Sequence, residues 1–216
     1  MKITIIYDNE VYLEGLQSDW GFSCLVEAEG APRILFDTGA DGAILLHNME
    51  RLDVDPSSID EVFISHAHWD HTGGLAGFLK ANKRANVYLP SSMSSSTKRH
   101  GLAQAVCIKK PVQLQEGIFS TGELKGIEQS LAVKTARGLV IIVGCSHPGV
   151  GTIMEAASRW GKIHAIIGGL HGFREFDLLR ELGLVCACHC TQFKSGIEKS
   201  LPAIYHSCGA GRTFQI

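Results

Sequence analysis

The chain has 216 residues, 20 Lys+Arg against 22 Asp+Glu for a formal net charge of −2, and 45% hydrophobic residues. That length and mix suffice for a buried core and exclude disorder as the main state, and the near-neutral balance argues against a strongly basic nucleic-acid binder. Ten histidines and 24 glycines stand out, so the placement of the histidines directs the reading.

In chain order, the β-branched run Lys2 to Tyr7 opens as a strand. It meets Asp8 too early to be the apolar core of a signal peptide. Strands are predicted over Phe22 to Ala28, Arg33 to Asp37 and Glu61 to Ser65. A helix is predicted over Ala43 to Leu52, where Ile44, Leu45, Asn48 and Met49 keep helical spacing. A helix over Gly74 to Ala81 and a strand over Asn86 to Leu89 follow, then a surface loop at Ser91 to Thr97. Strands over Leu131 to Thr135 and Leu139 to Gly144 lead to a helix over Thr152 to Trp160. A strand over Ile163 to Ile167, a helix over Glu175 to Leu182, a strand over Leu184 to Cys188 and a helix over Gly196 to Leu201 complete the series. Nothing approaches the ~18 uninterrupted apolar residues of a membrane span. The alternation predicts two sheets with helices outside them, an α/β layered fold, as one domain over 1–216.

Seven cysteines is an odd number, and Cys186, Cys188 and Cys190 alternate in a way that suits no ordinary disulfide framework. Reduced thiols and a cytoplasmic location are expected. Alternation also puts His189 on the opposite face from those thiols, against a structural zinc knot.

Glycines and histidines fall where predicted strands end: Asp37-Thr38-Gly39, Ser65-His66, Gly144-Cys145-Ser146-His147, Gly168-Gly169-Leu170-His171 and Cys188-His189. Sites in α/β proteins gather on such loops. The strongest motif is Ser65-His66-Ala67-His68-Trp69-Asp70-His71-Thr72-Gly73-Gly74. In extended backbone i and i+2 face one way, so His66 and His68 reach one ion together, while Asp70 and His71 turn toward a second. Imidazole and carboxylate suit Zn, Fe or Mn, and two such ions ~3.5–4 Å apart form a hydrolytic clamp. His147 is the candidate to complete the first site and His189 the second. His171 stays open between ligand, supporting group and substrate contact. Asp37 is expected to accept an imidazole N–H and fix a ligand tautomer. His47, His100, His164 and His206 have no comparable context. Lys98-Arg99-His100 and Lys109-Lys110 read as solvated faces before they read as anion sites.

His66-Ala67-His68-Trp69-Asp70-His71 resembles the H-x-H-x-D-H signature of the metallo-β-lactamase superfamily, with Asp37-Thr38-Gly39 upstream. Gly144-Cys145-Ser146-His147-Pro148-Gly149, Gly168-Gly169-Leu170-His171 and His189-Cys190-Thr191 resemble its dihydropterin-ribofuranosylaminobenzene-phosphate synthase-like branch. The resemblance implies an αββα sandwich with two divalent ions, zinc first, held by His66, His68 and His147 and by Asp70, His71 and His189. It implies a hydrolase in which metal-activated hydroxide attacks an ester, thioester or phosphoester, with Asp70 and His171 as catalytic groups. The alternatives are a synthase acting on a diphosphate-activated substrate and a non-catalytic metal-dependent sensor. A small-molecule substrate is expected, with no nucleic acid and no membrane, and a homo-oligomer stays open. Two departures from the family matter. Ile127-Glu128-Gln129 stands where a G-H-T-type histidine is usual, and the following strand ends in Cys145-Ser146-His147 where a bridging aspartate is usual, which leaves Cys145 open between a thiol near the metals and a buried thiol that is no ligand. The chain also lacks the longer insertion that the branch carries after the stretch here read as Gly122 to Gly126.

Overall fold

The computed structural model describes residues 1–95 and 105–216. Its strands form two seven-stranded sheets. Edge to edge, the first runs β14 (Thr213–Gln215), β1 (Lys2–Tyr7), β2 (Ser23–Glu27), β3 (Ile34–Phe36), β4 (Glu61–Phe63), β5 (Asn86–Pro90) and β6 (Val106–Ile108). The second runs β13 (Tyr205–Ser207), β12 (Leu184–Cys188), β11 (Ile163–Gly169), β10 (Gly138–Val143), β9 (Leu131–Thr135), β8 (Ile118–Ser120) and β7 (Val112–Gln115).

Pairing is parallel from β3 to β6 and from β10 to β13. Parallel neighbours require crossovers, and helices supply those from β3 to β4, β4 to β5, β10 to β11 and β12 to β13. They are α1 (Gly42–Arg51), α2 (Trp69–Thr72) and α3 (Leu75–Ala81) on one side, and α4 (Val150–Ser158) and α5 (Lys194–Ser200) on the other. Every parallel strand therefore delivers its C-terminal loop to one edge of the molecule, which is why the ligand-type residues meet there.

Strand β10 shows why two sheets stack. Val140 and Ile142 face the inter-sheet core with Ile5, Phe36 and Ile167. Leu139, Ile141 and Val143 face outward under Ile153 and Ala157 of α4. Burial on both faces explains the continuous apolar run where a half-exposed strand would alternate. The outer face of the first sheet is covered by Leu45 and Met49 of α1 and Phe78 of α3. Asn48, buried on the same stripe, is satisfied: its Nδ2 donates to the Ile6 and Gln17 carbonyls at 2.9 and 2.8 Å.

The layered α/β expectation holds. One predicted helix does not: Glu175 to Leu182 contains only a 3-10 turn, Phe176–Leu179. Leu179 and Leu182 are buried while Leu178 is exposed, and a single turn seats both before the chain enters β12. Five short strands were not anticipated: β6, β7, β8, β13 and β14, each three or four residues long. The expectation of reduced thiols throughout is also corrected, because Cys188 and Cys208 form a disulfide with their Cα atoms 5.1 Å apart. The partner sits 20 residues away on the loop after β13, a proximity created by the β12–β13 pairing and invisible in the spacing. None of the described helices is long and apolar enough to cross a membrane.

Candidate metal centre

Four of the strand ends carry a non-glycine residue in the left-handed region: Asp37 (φ 53°), Ser146 (φ 59°), His171 (φ 46°) and His189 (φ 46°). Such conformations persist where the surroundings over-determine them, and they re-aim a side chain sharply out of its strand. At Gly144 the loops that carry His66 and His147 touch. A Cβ there would overlap the Ser65 hydroxyl and stand 3.0 Å from His66 Nδ1, so only glycine allows the approach.

His66, His68 and His147 meet in one cluster. His66 Nε2 lies 3.1 Å from His68 Nδ1, and His147 Nε2 lies 3.2 Å from the same atom. Asp70, His71, Cys145 and His189 form the second, their ligand atoms all within 4.8 Å of one another. His66 and His71 join the two clusters, with ring centroids 4.2 Å apart.

Hydrogen bonds behind the rings fix which nitrogen is bare. The Ser65 hydroxyl donates to Asp37 Oδ2 at 2.7 Å, so it accepts from His66 Nδ1, 2.9 Å away, and leaves Nε2 unprotonated. His71 Nδ1 donates to the same carboxylate oxygen at 2.7 Å, and its Nε2 faces Cys145 Sγ at 3.2 Å. Gly21 N donates to Asn9 Oδ1 at 3.1 Å, which makes that oxygen an acceptor for His189 Nδ1 at 2.8 Å. The bare Nε2 of His189 then stands 3.1 Å from Asp70 Oδ2. Facing acceptors at that distance, and three converging ring nitrogens in the other cluster, are donor sets of the kind that can hold a metal ion. The donor set therefore fits divalent ions, with neutral nitrogens and an anionic oxygen facing inward.

The electrostatics agree. Burial, then the neighbouring rings, holds His66 and His71 well below the ordinary imidazole range, and burial lowers His147 too, so the neutral ligand form prevails. Burial pushes the Asp70 carboxyl up, but the His189 and His71 imidazoles that face it outweigh burial, and Asp70 stays below the usual carboxylate range. Trp20, half-exposed at the rim, donates its indole N–H to Asp70 Oδ2 at 3.0 Å. Asp8, whose carboxyl burial pushes up to about 6, accepts the His189 backbone N–H at 2.8 Å.

The structure thus brings together His66, His68 and His147, and separately Asp70, His71 and His189, and it adds Cys145 to the latter. Asp37 accepts an imidazole N–H. His171 lies outside both clusters, exposed, with its ring 5.3 Å from that of His147. Beside these two rings opens a cavity of about 680 Å³ that also touches Lys125, Arg174 and the first turn of α4. Ser65, Asn9, Asp8, Trp20, Glu128 and Gln129 were given no role by the sequence reading. Ser65 stands next to His66, Asp8 and Asn9 follow β1, and Glu128-Gln129 stands where a G-H-T-type histidine is usual; no such signal marks Trp20. Lys98-Arg99-His100 lies outside the described residues, and Lys109 and Lys110 are exposed.

Comparison with known proteins agrees with this geometry. A family model described as "Metallo-beta-lactamase superfamily" matches residues 21–151. The chain is 30% identical over 257 residues to a 7,8-dihydropterin-6-methyl-4-(beta-D-ribofuranosyl)-aminobenzene-5'-phosphate synthase of Methanocaldococcus jannaschii, covering 89% of this chain and 87% of that protein. An alignment longer than this chain means the relative carries segments absent here. A solved metal-dependent hydrolase of the beta-lactamase superfamily superposes with a TM-score of 0.80 at 25% identity, over 100% of this chain and 99% of that one. Zinc-bound PqqB from Methylobacterium extorquens shares the fold, with a TM-score of 0.67 at 12% identity over 100% of both chains.

Proposed function

The chain belongs to the metallo-beta-lactamase superfamily, in the branch of the dihydropterin-type synthase, and on that premise we propose that it is a dinuclear-metal-dependent hydrolase of a small-molecule ester, thioester or phosphoester. The observation that carries this reading is the pairing of two adjacent donor clusters whose bare nitrogens are set by buried carboxylate, hydroxyl and amide partners. His66, His68 and His147 would hold one ion, and Asp70, His71 and His189 the other, with the Cys145 sulfur facing the second. Divalent ions there, zinc first and iron or manganese by the same ligands, supply Lewis acidity toward a substrate oxygen and lower the pKa of a water.

The rest falls to the chain's own groups. Asp37 and Asn9 keep the ligand tautomers, and the Trp20 indole N–H orients the Asp70 carboxylate. His171, at the mouth of the cavity, is placed to give a proton to a leaving group that departs on that side. Elemental analysis of purified protein, with hydrolysis of aryl esters and phosphodiesters before and after chelation, tests this. Fewer than two ions per chain, or activity that survives chelation, would refute it.

A second reading has its own support. The 30% identity to a synthase, spread over 89% of the chain, favours a transferase using the same ions to bind a diphosphate leaving group. Product formation from a diphosphate-activated pterin and an arylamine, with inertness to esters, would select it.

A further inference from the structure

We propose that the dipeptide Glu128–Gln129 is a positioning clasp that ties one ligand loop from each sheet together and so sets the geometry of His66, His68 and His147. The inference rests on the metal-centre reading above. Both residues are fully buried, in the turn between β8 and β9, and they face opposite ways. Gln129 grips the first sheet: its backbone N–H donates to the Ser65 carbonyl at 2.9 Å and its side-chain amide to the Ile64 carbonyl at 2.8 Å. The Ser120 hydroxyl holds Gln129 Oε1 at 2.9 Å, which fixes the orientation of that amide.

Glu128 grips the second sheet. Its Oε1 accepts from the backbone N–H groups of Gly144, Cys145 and Ser146 at 3.1, 3.1 and 3.0 Å. Its Oε2 accepts from His147 N–H at 2.8 Å. Four successive amides converging on one carboxylate make an anion nest, filled here by the chain itself. The left-handed turn at Ser146 (φ 59°) brings those amides round, and the carboxylate offsets its strain. Ser65 immediately precedes His66, and His147 supplies the last amide of the nest. Two neighbouring residues therefore set the position of ligands that are 81 residues apart in the chain. An amide in place of the carboxylate keeps the volume but turns a donor toward at least one of the four N–H groups, and the His147 loop must retreat.

The test is Co(II) titration against a competing chelator, with absorbance and thermal unfolding of the metal-free proteins. Glu128→Gln is expected to weaken the ion at His66, His68 and His147 at least tenfold. The second ion, identified by the sulfur-to-cobalt band of Cys145, should lose less affinity than the first, because the nest holds the Cys145 N–H but the clasp makes no bond to Asp70, His71 or His189. Should Glu128→Gln not fold, Gln129→Leu removes only the side-chain grip on Ile64 and Ser120 and should show the same selective loss. Two ions bound with wild-type affinity overturn the clasp. So does parallel loss of both ions with a falling melting temperature, which marks a bulk stabiliser. Wild-type protein that takes up no Co(II) overturns the metal-centre reading itself, and the order of measurement keeps the two failures apart.

Discussion

Asp37→Asn changes one atom and should disable ligands of both ions at once. The Asp37 carboxylate accepts three buried bonds of 2.7 Å, from Ser65 N–H, the Ser65 hydroxyl and His71 Nδ1. With the Asn oxygen kept toward Ser65 N–H, its amide faces the other two groups as a donor. His71 Nδ1 must then become an acceptor, and its proton moves to the Nε2 that faces Cys145. The Ser65 hydroxyl, now receiving a bond, turns its own proton toward His66 Nδ1, and the His66 proton moves to Nε2 as well. The reverse Asn orientation leaves Ser65 N–H facing a donor, at roughly 1–3 kcal/mol for a buried unpaired group. Loss of a tautomer-setting partner typically weakens metal affinity 10- to 100-fold, or about 1.4–2.7 kcal/mol per ion. Metal-free stability should move by only ~1 kcal/mol, because burial pushes the Asp37 carboxyl well above its usual range and removing that charge offsets the lost bonds. Competitive metal titration paired with unfolding of the metal-free protein reads both quantities. Wild-type affinity for both ions in Asp37→Asn would show that the tautomer argument is wrong.

Three further outcomes are expected. Cys145→Ser in Co(II)-loaded protein should abolish the near-ultraviolet sulfur-to-metal absorbance while leaving the His66 cluster loaded; a persisting band means that the sulfur is no ligand. Cys208→Ser should cost about 3 kcal/mol under non-reducing conditions, from chain entropy across a 20-residue separation; thiol titration of denatured wild type should find five free groups, and seven would refute the disulfide. Glu61, buried in β4 with Oε2 lacking a partner among the described residues, has its carboxyl pKa raised by burial. A raised folded pKa contributes stability that is present below the unfolded value of ~4.3 and lost as pH rises through the folded one. Glu61→Gln should therefore raise Tm more at pH 7 than at pH 4, and an equal change at both would contradict this.

The residues that gather in the two clusters were legible because their signal is local. His66, His68, Asp70 and His71 fall within six positions, and the β-strand period alone says which of them can share an ion. His147 and His189 were legible because each follows an apolar run that can only be a buried strand. The short edge strands were not, since Val106–Ile108 and Tyr205–Ser207, at three residues each, are too brief to show a period. They exist because a longer neighbour offers them a template. The disulfide escaped for a similar reason, because Cys208 meets Cys188 only after β13 has paired with β12.

The groups that set tautomers were less legible still, and the reason is physical. Ser65, Asn9 and Glu128 act through hydrogen bonds to partners 28, 180 and 19 residues away, for example Ser65 to Asp37, Asn9 to His189 and Glu128 to His147. Nothing in residue type separates such a serine or glutamate from one on the surface. What gives Ser65 and Glu128 away is full burial without a charge partner, since an uncompensated polar group costs several kcal/mol in a core. Glu128 is fully buried and has no cation within salt-bridge distance among the described residues. Four backbone amides take the place of the missing cation, and those amides belong to the loop that carries His147. A buried acid of this kind is tolerated because the chain must hold that loop in one conformation, and an apolar side chain there would leave four N–H groups unanswered. The same reasoning extends to Asp8, whose carboxylate holds the His189 turn by its backbone. His147 and His189, the two clustered histidines outside the H-x-H-x-D-H segment, are thus each held by a carboxylate on their own main chain, and the proposed ions would hold their rings as well.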